Sequence, residues 1–155
     1  MAKKFKTTLN AALLGMDTDV VCAAGVPARL GTFTIPAGQA YSVGYGPFVG
    51  RSDAIGHAML VLMDDTAVTP EAEEGLVSLE VRDPQGRHKA TIFEARTEEL
   101  KLGAADPGLR MPLAEDAGMI NEDDRIELWF TSDAADTVDV SACSAAIDCT
   151  IYPTR

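Results

Sequence analysis

The sequence of 155 residues predicts an all-β fold, an antiparallel β-sandwich or jelly roll of about eight short strands with an N-terminal arm. Three observations carry this. Apolar and polar residues alternate with a period of two in several short runs. Turn residues separate those runs at short intervals. One pair of runs is joined by Asp83-Pro84-Gln85-Gly86, with Pro at the second turn position and Gly at the fourth.

Residues 1–19 read as an arm and residues 20–155 as the sandwich domain. Thr7 to Gly15 fits either a short helix or a strand added at a sheet edge. Val20–Cys22 is a short strand stopped by Gly25 and Pro27. Leu30–Ile35 is rich in β-formers and ends at Pro36 and Gly38. Gln39–Tyr45 alternates Tyr41, Val43 and Tyr45 against Ala40, Ser42 and Gly44, and a glycine-rich loop, Gly44–Gly50, follows. Residues 57–63 are apolar on both faces, as in a strand covered on both sides or an interior strand of a sandwich under a loop. Leu76–Arg82 alternates Val77, Leu79 and Val81 with Ser78, Glu80 and Arg82. With Arg87–Ala95 it makes a β-hairpin. Glu94–Leu102 has room for one helical turn. Gly103–Asp124 reads as a long acidic connection broken by Pro107 and Pro112, packed down by Met111, Leu113, Met119 and Ile120. Arg125–Thr131 is a strand with Ile126, Leu128 and Phe130 on one face and Glu127, Trp129 and Thr131 on the other. Val138 and Val140, then Ile147, Cys149 and Ile151, point inward from the last two strands.

The formal net charge is −11, from 13 Lys+Arg and 24 Asp+Glu. It is unevenly spread. Residues 1–51 hold five basic and two acidic residues, and the rest of the chain holds 8 basic and 22 acidic. A nucleic-acid binder needs a basic footprint to displace counterions, so the acidic body argues against one. No apolar run approaches the roughly 18 residues of a membrane span. Nor does Ala11–Gly15, cut short by Asp17 and Asp19, make the core of a signal peptide. The cysteines are Cys22, Cys143 and Cys149. An odd count fits buried thiols acting as small hydrophobes better than a disulfide scaffold.

No candidate chemistry outweighs its plain structural reading. His57 and His88 are the only histidines and lie 31 positions apart, without metal-ligand spacing. Ser52, Asp53 and His57 sit close in sequence, but a triad is a matter of geometry, and no Gly-x-Ser-x-Gly elbow is present. Gly44, Gly46 and Gly50 miss the dinucleotide spacing and do not open a helix. The acidic clusters Asp64–Asp65, Glu71–Glu74 and Glu122–Asp124 do not match a calcium loop. No catalytic residue, metal ligand or cofactor is therefore expected. Trp129 stands out for binding, because Trp is enriched at interface hot spots. It makes a contact surface if its face is outward and core if the sheet is covered on both sides.

An acidic β-sandwich with a basic arm, a long packed loop and no catalytic constellation suits an interaction protein. The arm Met1–Asp19, the hairpin Leu76–Ala95 and the late strand Arg125–Thr131 together resemble the jelly-roll decoration (cement) proteins of tailed bacteriophage capsids. The resemblance implies a non-enzymatic virion protein, made in the host cytoplasm and placed on the capsid exterior. It implies a homotrimer that clamps neighbouring major capsid protein subunits, with no nucleic-acid or membrane partner. Lys3, Lys4 and Lys6 are then expected to face acidic partner surface with Phe5 as an apolar anchor, and Trp129 to add contact. The alternative is a carbohydrate-binding-like module whose aromatic platform holds Trp129 with Tyr41 or Tyr45. A hydrolase would need His57 or His88 to meet a nucleophile.

Overall fold

The computed structural model describes residues 5–43, 56–61, 75–96, 101–103, 106–113, 119–138 and 144–154. These hold twelve strands: β1 (Phe5–Asn10), β2 (Val20–Cys22), β3 (Pro27–Thr34), β4 (Gln39–Val43), β5 (Gly56–Val61), β6 (Gly75–Arg82), β7 (His88–Arg96), β8 (Lys101–Gly103), β9 (Asp106–Leu113), β10 (Arg125–Ser132), β11 (Asp136–Val138) and β12 (Ser144–Pro153). No helix occurs among the described residues.

The pairing is nested. β6 pairs with β7, β5 with β9, β3 with β10 and β1 with β12, all antiparallel. That is one long hairpin. It rolls up because β10 also pairs with β6, and β12 also pairs with β4 and β5. Two sheets result: β3-β10-β6-β7, and β1-β12-β5-β9-β8 with β4 end to end beside β5 on β12. A hairpin rolled onto two sheets in this way is a jelly roll, as the sequence predicts. A small β2–β11 pair lies beside it.

The two inner faces make the core. Val77, Leu79, Val81, Ile126, Leu128 and Phe130 come from one sheet, and Leu9, Tyr41, Val43, Ile147, Cys149 and Ile151 from the other. Each fully buried aliphatic or aromatic side chain contributes about 1.5–3 kcal/mol of transfer free energy. The hairpin turn closes as expected. Gly86 N–H donates to Asp83 O at 2.9 Å, and Gly86 has φ +85°, a conformation that a side chain disfavours. Asp83 Oδ1 accepts from the Gln85 and Arg87 N–H groups at 3.0 and 2.9 Å. The Arg87 backbone bond above all holds the Asp83 carboxyl below its ordinary pKa.

Three expectations change. The segment read as an arm is built into the body. β1 pairs with β12 from Phe5↔Ile151 to Asn10↔Ala146, and Leu9, Leu14 and Met16 are buried. Of the two readings of Thr7–Gly15, the strand describes its first part and a hydrogen-bonded turn the rest. Leu14 N–H donates to Asn10 O, and Leu14 O accepts from the Thr32 N–H of β3 at 2.8 Å. Gly31 permits this approach, since a Cβ there would lie 3.0 Å from Leu14 Cβ, Leu14 O and Met16 Cγ.

Second, the supposed connection Gly103–Asp124 contains β9, which pairs with β5 along its length. Its prolines concealed it, because proline is uncommon inside sheets. Pro112 lies opposite His57 of β5, beyond the stretch Asp106 to Leu109 that pairs with β8. Farther on, Ile120 is buried and exchanges hydrogen bonds with Tyr41, whereas Met119 is exposed. Third, Glu94–Arg96 continues β7 and Lys101–Leu102 belongs to β8. The middle of the suggested helical turn lies outside the described residues.

Candidate interaction surface

β10 alternates strictly enough to give two chemistries. Ile126, Leu128 and Phe130 enter the core, while Arg125, Glu127 and Trp129 project from the other side of the sheet. Register then sets their neighbours. Arg82, Glu80 and Ser78 of β6 lie opposite Arg125, Glu127 and Trp129, and Thr34 and Thr32 of β3 lie opposite Arg125 and Glu127. Simple alternation along β3 would turn Arg29 away from Thr32. A register shift between Leu128 and Trp129 skips Leu30, so that Leu30 and Gly31 are both buried and Arg29 returns to the outer face beside Trp129. Bulges re-aim side chains in this manner.

Glu127 is the hub. Its side chain is only 2% exposed, and its carboxylate meets Arg29 Nη1 at 3.2 Å, Arg82 Nε at 3.4 Å and Arg125 Nη1 at 3.8 Å. Thr32 Oγ1 donates to it at 3.2 Å, and Trp129 Nε1 at 3.1 Å. A buried charge is tolerated only when paired and hydrogen-bonded, and these five contacts meet that need. Arg82 reaches Glu80 Oε1 at 2.8 Å, donates to Gly86 O at 3.1 Å, and lies 4.7 Å from the centroid of Trp129. Arg125 Nη2 donates to Asp83 O at 3.1 Å. The hairpin tip and the ionic cluster are thus one unit. Chemically, it presents an arginine- and indole-bearing face held rigid from below.

Trp129 is half-buried and belongs to the outer face, so it is neither a core residue nor a bare platform. Lys3 and Lys4 lie outside the described residues. Phe5 and Lys6 are placed by their backbone in β1, opposite Ile151 and Thr150, and Phe5 to Asn10 occupies the end position of its sheet. The backbone of Phe5 and Lys6 thus lies in one sheet and Trp129 in the other. Glu127, Arg29, Arg82 and Arg125 are the residues that sequence reasoning missed. An outward glutamate in an alternating strand reads as solvated, and only register shows three arginines around it.

Tyr41 is buried and its ring lies 5.5 Å from that of Phe33, so it cannot share an exposed platform with Trp129; Tyr45 lies outside the described residues. Burial, and then Cys149 nearby, push the Tyr41 phenol above its ordinary pKa. Cys22 and Cys149 are buried thiols, and Cys143 lies outside the described residues. His88 is exposed, with Nε2 2.8 Å from Thr91 Oγ1, and His57 is placed by its backbone in β5. Of the acidic clusters, Asp64–Asp65 and Glu71–Glu74 lie outside the described residues, as do Ser52, Asp53 and the Gly44–Gly50 loop. Asp124 is buried against Lys89 Nζ at 2.7 Å, and Glu122 accepts from the Gly38 N–H. Among the described residues, no group of three His, Cys, Asp or Glu side chains is placed to hold a metal ion.

No protein-family model matches the sequence, and no curated protein matches it. The fold does have relatives among solved structures. VP17, a capsid protein of bacteriophage P23-77, is similar with a TM-score of 0.60 at 7% identity, over 97% of this chain and 96% of VP17. The VP2 subviral particle of infectious bursal disease virus matches with a TM-score of 0.43 at 14% identity, over 96% of this chain and 32% of VP2. The overlap with VP17 shows a shared fold, in keeping with the jelly-roll pairing to which β1 belongs.

Proposed function

We propose that the chain is a structural protein of a virus particle, of the decoration or cement kind. In this reading it is not an enzyme. It sits on the outside of an icosahedral phage capsid as a homotrimer and clamps neighbouring major capsid protein subunits. The observation that supports it most is the match to VP17, described as a capsid protein, in which neither chain has much left over. Repeated modest contacts around a shell, multiplied by oligomer avidity, suit such a molecule.

The basic N-terminus and the Trp129 face are the two contact regions of this reading. Lys3, Lys4 and Lys6 would meet acidic partner surface, with Phe5 as anchor. Removing residues 2–15 would not isolate that role, since it deletes β1 and the buried Leu9 and Leu14. Removing residues 2–4 does isolate it.

The test is to band particles from the source culture on a density gradient and quantify the chain by mass spectrometry. Co-banding in fixed ratio to the major capsid protein is expected. Recovery only in the soluble fraction would overturn the reading. The isolated chain should weigh about 49 kDa as a trimer of 16.4 kDa protomers.

A further inference from the structure

We propose that the outer face of β3, β10 and β6, centred on Arg29, Arg82, Arg125 and Trp129, binds the acidic surface of a second copy of this chain. The inference rests on the homo-oligomer in the reading above and names the surface that builds it.

Charge is the first argument. On these three strands, three arginines stand against Glu80 and Glu127, which leaves one positive charge in excess. The rest of the molecule has the opposite sign, since the whole chain carries a formal net charge of −11. Two such faces would repel each other. The complement of the face is therefore acidic surface of the next copy, which exposes carboxylates such as Asp17, Glu122 and Asp123. A contact between unlike surfaces is head-to-tail, and head-to-tail contacts make rings such as trimers where the rotation closes.

Composition is the second argument. Trp and Arg are the side chains most enriched where interface energy concentrates, and here they are stacked. Order is the third. Arg82 and Arg125 are already fixed by Glu127 and by the backbone of the hairpin tip, so docking immobilises few new rotamers. Arg29 remains 46% exposed and Thr34 is exposed, so the rim of the cluster is reachable.

Sedimentation equilibrium of the full chain at physiological salt tests this, with three variants. Thr34→Glu sets a carboxylate opposite Arg125 and quenches the face without breaking the Glu127 network. Arg29→Gln removes the most exposed charge. Val21→Glu adds the same charge as Thr34→Glu at an exposed position of β2, which belongs to the separate β2–β11 pair. Self-association is expected, weakened about tenfold or more by the first two variants and unchanged by the third. Association that all three leave unchanged, or that Val21→Glu weakens equally, overturns the surface assignment while the oligomer stands. A chain that stays monomeric overturns both.

Discussion

Replacing Glu127 with alanine removes the one carboxylate around which three guanidiniums are arranged. Its side chain is 2% exposed, while those of Arg82, Arg125 and Arg29 are 25%, 24% and 46% exposed. Arg29 can turn to water and loses little. Arg82 and Arg125 are pinned by the Gly86, Asp83 and Pro84 carbonyls and must keep most of their burial. Trp129 Nε1 and Thr32 Oγ1 also lose their acceptor. Breaking a buried pair by removing one partner costs about 3–5 kcal/mol. For a domain of this size, that lowers Tm by about 6–20 °C, at 2–4 °C per kcal/mol. Glu127→Gln keeps an acceptor for the indole and loses only the charge, so it should fall between alanine and wild type. The chain has a single Trp, at position 129, so its fluorescence reports on the cluster itself. Urea unfolding followed by that fluorescence and by far-UV circular dichroism gives both the loss and a test of two-state behaviour. A Glu127→Ala loss below about 1 kcal/mol would refute the reasoning, because the carboxylate would then be behaving as an exposed one.

Leu9→Ala should cost about 2–5 kcal/mol by denaturant titration, since Leu9 is 1% exposed; a solvated arm would show no change. Gly31→Ala forces a methyl against Leu14 and Met16 and should destabilise by about 1–3 kcal/mol in the same assay. Asp83 has a lowered folded-state pKa, so its contribution to stability is present above its ordinary value of 3.8 and is lost as pH falls through the lower folded value. The difference in melting temperature between wild type and Asp83→Asn should accordingly be full at neutral pH and vanish in strong acid. Removing residues 2–4 should leave the melting curve unchanged and reduce occupancy on particles, measured by quantitative mass spectrometry.

Local chemistry made much of this fold legible. The 76–96 hairpin follows from alternation plus a turn whose Pro and Gly sit where its dihedral angles require them. The two faces of β10 follow from period two alone, and they place Trp129 opposite the core residues. What stayed hidden depends on contacts distant in sequence. β1 has too few apolar residues to declare itself, and Leu9 and Leu14 are buried only because β12 and β3 stand beside them. β9 carries two prolines, which local rules assign to a loop, and its pairing with distant β5 is what makes it a strand. Arg29 faces Trp129 because of a bulge, and no pattern in Pro27–Thr34 announces one. The Glu127 cluster joins side chains up to 98 positions apart, so its register had to be seen in three dimensions.

A cryo-electron microscopy reconstruction of the purified particle tests the central claim most directly. The expected result is density for this jelly roll on the outer surface of the shell, in contact with more than one major capsid subunit and with the β3-β10-β6 face against a neighbouring copy. A well-resolved shell with no such density on its exterior would contradict it.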